Sequence, residues 1–116
     1  GGICMIANRL DFGHELREYR PLGPWGKVHL SAPPSEYVRK LYLDTVTFGP
    51  APLRLALETV GATQVCYGTD GPPLPFPASR GISTVRALGA DDETTAAILG
   101  GNAAALFGLT ELAASR

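Results

Sequence analysis

The feature that most constrains this chain is an alternation: two short β-type segments enclose one amphipathic helical segment, and glycine or proline cuts each of them off. Leu41 to Phe48 is rich in Tyr, Val, Thr and Phe and ends at Gly49-Pro50, which is the composition and the stop of a strand. Pro52 suits the first turn of a helix in which Leu53, Leu55, Ala56, Leu57 and Val60 form an apolar face before Gly61 closes it. Gln64 to Gly68 reads Gln-Val-Cys-Tyr-Gly, short and mostly apolar, as a strand buried on both faces should be. Helical signals resume over Ile82 to Leu88. Asp91 or Asp92 can cap the next helix, with Glu93 in its first turn and Ala96, Ala97, Ile98 and Leu99 on its buried side. Gly100-Gly101 is expected to break that helix and Asn102 to cap a last one, to about Phe107, followed by a turn through Ala113. Strand, helix, strand, helix is the order of a parallel sheet with crossover helices, which puts the chain in the α/β class.

The first third carries weaker signals. From Gly1 to Pro34 the density of Gly and Pro, with Pro21, Gly23, Pro24, Gly26, Pro33 and Pro34, predicts irregular structure, relieved by a couple of helical turns over Leu10 to Tyr19. Ser35 is a good N-cap after two prolines, so a short helix over residues 36–40 is expected to run into the strand that starts at Leu41.

Composition narrows the class of function. A chain of 116 residues fits one domain and buries roughly two-thirds of its unfolded surface. With 45% hydrophobic and 18% charged residues it reads as globular. Ten basic residues against eleven acidic ones give a net charge of -1, and the basic residues are scattered, so nucleic-acid binding has no electrostatic footprint. No apolar run approaches the roughly 20 residues of a membrane helix, and the start lacks the pattern of a signal peptide. Cys4 and Cys66 sit in apolar contexts, where free Cys behaves as a small buried hydrophobe, and this usage fits a reducing, cytoplasmic setting. The chain opens at Gly1 without methionine, in the middle of what reads as a structural element, so an N-terminal portion is expected to be absent.

In a parallel α/β fold the loops at the C-terminal ends of the strands carry ligands and catalysis. Two segments hold that position here: Val46-Thr47-Phe48-Gly49 and Gly68-Thr69-Asp70-Gly71-Pro72. Asp70 is the candidate for chemistry, because a carboxylate directly after a buried strand is held at the strand tip. Asp before Gly is also a common turn dipeptide, so a turn residue or helix cap is the competing reading. Asp44 alternates within its strand and reads as structural, while His14 and His29, without fixed partners, read as surface or packing histidines. Cys4, His14 and His29 form no compact zinc spacing, and neither a G-x-S-x-G elbow nor a phosphate-cradling Gly-rich loop is found.

Several motifs in order carry a resemblance. Tyr42-Leu43-Asp44-Thr45, the run Leu53 to Ala62, Tyr67-Gly68-Thr69-Asp70-Gly71-Pro72, Ile98-Leu99-Gly100-Gly101-Asn102-Ala103 and Leu106-Phe107-Gly108-Leu109 together resemble the amidohydrolase-related family. The branch most similar contains aminocarboxymuconate-semialdehyde decarboxylase and the aromatic-acid decarboxylases, and the similarity runs from Gly1 to about Leu109. The resemblance implies a TIM-like (β/α)8 barrel, with residues 1–116 as the C-terminal part of that single domain. It implies one divalent metal, zinc first and manganese as the alternative, held by an early H-x-H pair, two strand-end histidines and an aspartate after the eighth strand. Asp70 stands at that aspartate's position, as metal ligand and acid/base catalyst.

By the same resemblance Gly1-Gly2 lies just beyond the sixth-strand histidine, so the other ligands fall outside the chain. Arg9 resembles an arginine that reaches a substrate carboxylate in a neighbouring subunit, which implies a homodimer; here it lies a residue or so closer to the Gly-Gly. Gly71 departs from the family, which usually places an aromatic residue after the aspartate. The expected activity is non-oxidative decarboxylation of an unsaturated or aromatic carboxylic acid. The alternatives are hydrolysis of a lactone, ester or amide, and a truncated, non-catalytic fragment, since two strands cannot close a barrel of about 250 residues.

Overall fold

The computed structural model describes residues 2–19, 30–73 and 75–109, which fall into two compact units, Gly1–Leu41 and Tyr42–Arg116. The Pro/Gly cluster from Pro21 to Gly26, His29 and the terminal turn from residue 110 onward lie outside the described residues.

The first unit is a pair of helices, α1 (Ile3–Tyr19) and α2 (Pro34–Val38). The irregular start expected from Gly1 to Pro34 is corrected: α1 begins at Ile3 and runs for 17 residues. Between Ile3 and Phe12 no Gly or Pro interrupts, and one interior Gly, Gly13, costs only about 1 kcal/mol relative to Ala. Ala7 on α1 and Val38 on α2 are buried where the two helices pack.

Ser35 is not the cap of α2. It lies inside the first turn, and its backbone N–H donates to Asp11 Oδ1 on α1 at 2.8 Å, so a carboxylate brought by tertiary packing satisfies an orphan helix donor. These contacts with Ser35 are the main reason the Asp11 carboxyl titrates below the usual aspartate range, with the charges of His14 and Arg39 adding to it.

The second unit opens with β1 (Leu43–Asp44), followed by α3 (Pro50–Val60), a 3-10 turn (Ala62–Gln64) and β2 (Val65–Cys66). The two strands pair in parallel, Leu43 with Val65 and Asp44 with Cys66, and α3 is the crossover between them, as the alternation predicts. Prolines occupy the first turn of α3, where a missing N–H costs nothing. Gly61 ends it at φ +88, a conformation that side chains resist.

Both strands are shorter than expected. The 41–48 strand reduces to Leu43–Asp44, because Thr45 continues the contact with the neighbouring strand's end through its side chain and Phe48 turns to φ +58. The 64–68 strand reduces to Val65–Cys66, because Gln64 belongs to the 3-10 turn and the Tyr67 N–H leaves the ladder to donate to Ile98 O at 2.9 Å.

Next come α4 (Ala78–Arg86), which starts four residues earlier than the Ile82 expected, and α5 (Asp92–Ala96). Asp91 caps α5 by accepting the Thr94 N–H at 2.6 Å, and that bond holds its carboxyl below the usual range.

Gly100-Gly101 does not break the helix that follows. Residues Ala97–Gly101 form a π turn that leads directly into α6 (Asn102–Leu106), and Asn102 keeps helical dihedrals instead of acting as a cap. The wider turn leaves Ile98 O facing Tyr67 N–H, which is how the C-terminal helices are bonded to the end of β2. Among the described residues of this unit, Leu53, Ala56, Val60, Val65, Val85 and Ile98 are the buried apolar ones, drawn from α3, β2, α4 and the π turn. Each large aliphatic among them contributes about 1.5–3 kcal/mol by burial.

Candidate active site

The site is built where the two parallel strands end. Thr45, 4% exposed, donates its hydroxyl to Gly68 O at 3.2 Å and accepts the Gly68 N–H at 3.1 Å, so one side chain replaces a pair of ladder bonds just beyond the last strand residues. The Thr45 backbone N–H also donates to Cys66 O. Gly68 is needed for this approach, since a Cβ there would stand 3.2 Å from Asp44 Cβ and 3.3 Å from Val46 Cγ2. The two loops leave side by side, at the same end of the sheet.

Each loop holds a non-glycine residue in the left-handed region, Phe48 at φ 58 and Asp70 at φ 53. Aspartate visits that region readily, whereas a bulky aromatic does so only where its surroundings enforce it.

Asp70 is exposed at the tip of the loop after β2, and its carboxylate makes no hydrogen bond to a described residue. It does not cap α4, whose N-cap is Pro77 with no side-chain cap bond. Thr69 stabilises the same tip, its Oγ1 accepting the Gly71 N–H at 3.1 Å. Asp44 is also exposed and accepts the Val46 N–H on Oδ1 at 2.9 Å, the role of a turn-forming carboxylate.

Arg9 lies exposed on α1, in the other unit. His14 Nε2 stands 3.4 Å from Leu30 O, within that same unit. The two cysteines, expected to be buried, are free thiols of intermediate exposure. Cys66 is pushed above the usual thiol range by burial and so stays protonated at neutral pH.

A cleft opens beside these loops. Thr45, Val46 and Phe48 of the first loop, Tyr67 to Thr69 of the second, and Phe76 to Ala78 with Arg80, Gly81 and Thr84 at the start of α4 line it. Tyr67 positions the helix: its hydroxyl donates to Ala78 O at 2.7 Å, and α4 comes so close that a Cβ on Gly81 would lie 2.9 Å from Tyr67 Cε2. Reading the sequence singled out the two loops but passed over Tyr67 and Arg80; an arginine four residues after an aromatic, in the first turn of a helix, was the signal available.

Residues 14–109 match the Amidohydrolase family. The chain belongs to the amidohydrolase family. Amidohydrolases generally use divalent metals. The structure is similar to that of 5-carboxyvanillate decarboxylase from Sphingomonas paucimobilis, with 28% sequence identity and a TM-score of 0.76. That match covers 91% of this chain and 30% of the decarboxylase, so this amidohydrolase chain spans under a third of the relative's length. No curated protein matches the sequence.

Among the described residues no three of His, Cys, Asp and Glu come together as a metal site. Asp70, a carboxylate at a strand end with no partner among the described residues, suits one position in such a ligand set and cannot make a site alone. No helix among the described residues is long and apolar enough to cross a membrane.

Proposed function

We propose that this chain is the C-terminal part of a TIM-like (β/α)8 barrel enzyme that removes CO2, without oxidation, from an aromatic or unsaturated carboxylic acid. The observation that carries the reading is the likeness to 5-carboxyvanillate decarboxylase over 91% of the chain, at an identity of 28%. The position of Asp70 supports it: a carboxylate at the C-terminal end of a parallel strand, where α/β enzymes place their chemistry.

A divalent metal, zinc in the first place and manganese as the alternative, would supply Lewis-acid polarisation of the substrate. Asp70 would be one of its ligands. The carboxylate of Asp70 also moves the proton of the reaction. Asp70 first takes a proton from water; as the carbon–carbon bond breaks and CO2 leaves, the electron pair stays on the substrate carbon, and the protonated Asp70 oxygen gives up that proton to form the new carbon–hydrogen bond and returns to the carboxylate. Arg9 is the proposed contact to the substrate carboxylate of a neighbouring subunit in a homodimer. The free thiols of Cys4 and Cys66 fit a cytoplasmic location.

The test uses the protein that carries this segment, loaded with zinc or manganese and offered a panel of aromatic acids with CO2 release as the readout. Turnover is expected for at least one acid. Asp70→Asn should lower it by a factor of 10² or more, the scale of acid/base catalysis, with the melting temperature nearly unchanged. Near-normal turnover in that variant would defeat the assignment. Hydrolysis of a lactone, ester or amide by the same panel protein, with no CO2 released, would replace the decarboxylase reading with the one the family's name suggests.

A further inference from the structure

The cleft beside the strand ends has a chemical character of its own. Among its described lining residues, Arg80 carries the only charge, and it makes no ion pair with any described residue. Its guanidinium is stacked instead on the Phe76 ring, 4.4 Å from the centroid. A cation in the first turn of a helix works against the helix dipole, so helix stability does not account for an arginine there. Stacking fixes the guanidinium plane and leaves its N–H edges free to donate.

The rest of the cleft is aromatic and hydroxylic. Phe48 is held at φ 58 and brings an aromatic ring to the cleft from the first loop. Phe76, 47% exposed, presents a second ring, and Thr69 and Thr84 bring hydroxyl groups.

We propose that this cleft is a binding site for a planar organic carboxylate, with Arg80 donating to the carboxylate and Phe48 and Phe76 packing on the ring. This rests on the decarboxylase reading for its biological substrate and adds Arg80, beside the Arg9 contact of that reading, as a second residue that favours an anionic one. Arg80 and Phe76 act together, because the stack that orients the guanidinium also forms part of the apolar wall.

The experiment is a binding titration of the protein that carries this segment with benzoate, followed by NMR, with benzyl alcohol and cyclohexanecarboxylate as the uncharged and non-planar comparators. Benzoate should bind best of the three and shift the amides of Phe76 to Gly81. Arg80→Gln should weaken benzoate by about ten-fold or more, the scale of a charged hydrogen bond, and leave benzyl alcohol unchanged. Arg80→Lys, which keeps the charge and loses the planar stack, should fall between. Phe76→Leu, which removes the stack without touching the charge, should also weaken benzoate, so the site can be tested with either partner altered. Failure of benzoate to bind, or binding that none of these variants changes, would overturn the site. Because binding is measured without turnover, the two readings fail separately. Arg80-dependent binding by a protein that releases no CO2 would keep the site and remove the decarboxylase, while decarboxylation with Arg80-independent binding would do the reverse.

Discussion

Replacing Asn102 with alanine should be among the most damaging single changes to the second unit. Asn102 is 8% exposed, and its Nδ2 donates to two carbonyls at once, Ala62 O and Val65 O, each at 2.7 Å. One amide group therefore ties α6 both to the 3-10 turn before β2 and to β2 itself. Alanine removes both donors and has no atom to replace them. The Val65 carbonyl lies in a fully buried setting and the Ala62 carbonyl in a partly buried one. An unsatisfied buried acceptor costs about 1–3 kcal/mol, and a half-exposed one less because water can reach it, so the loss should total about 2–4 kcal/mol. For a chain of this size that is a large share of the whole, since small domains are stable by only about 5–15 kcal/mol. Urea denaturation followed by circular dichroism gives the midpoint, and amide exchange at Val65 to Tyr67 shows whether the end of β2 opens first. A midpoint equal to the wild type, with Tyr67 N–H still protected, would refute the reasoning and show that the Ile98 carbonyl alone holds the helix to the strand.

Two further outcomes are expected from the same unit. Gly81→Ala should lower stability: Ala gains up to about 1 kcal/mol in helix propensity, but its methyl would stand 2.9 Å from the Tyr67 ring, and overpacking costs about 1–3 kcal/mol. A raised urea midpoint would mean that the ring swings away freely and that its bond to Ala78 O is weak. Asp91→Ala should lose the cap of α5 in a pH-dependent way. The folded carboxyl is held below the usual value of about 3.9, chiefly by the Thr94 N–H, so its contribution is present above that value and lost as pH falls through the lower folded one. The difference between variant and wild type in thermal midpoint should therefore be constant at neutral pH and vanish on strong acidification; a difference that persists in acid would show that the cap acts through shape alone.

Much of the second unit was legible in the sequence because its signals are local. Pro52 marks the first turn of α3, its apolar spacing sets its buried face, Gly61 sets its end, and Asp91 caps α5 with a side chain three residues from the bond it makes. The parallel pairing followed from order alone, since two strands joined by a helix lie in parallel when they pair in one sheet. The place of Asp70 was legible for the same reason: any residue just past β2 lies at the end of the sheet where the loop after β1 also emerges.

What the sequence could not reveal lies in contacts between residues far apart along the chain. Asp11 caps a helix 24 residues away, so Ser35, the local candidate, lost that role to packing. Thr45 meets Gly68 across 23 residues and takes over where the ladder stops, which shortened a strand that β propensity would have extended. Asn102 reaches Ala62 and Val65 across 40 and 37 residues, and its place inside a helix turned an expected cap into a buried bracket. Gly100-Gly101 reads as a break because two glycines are costly in an isolated helix, but packing of the neighbouring Ile98 and the bond from Tyr67 outweigh that cost in the π turn. The spacing of Arg80 from Phe76 hints at their pairing but not at its setting, because the cleft it lines exists only once Tyr67 has drawn α4 over the strand ends. Local propensity is worth tenths of a kilocalorie per residue, whereas a buried donor or a filled core position is worth about 1–3 kcal/mol, so wherever the two disagreed the tertiary contact decided.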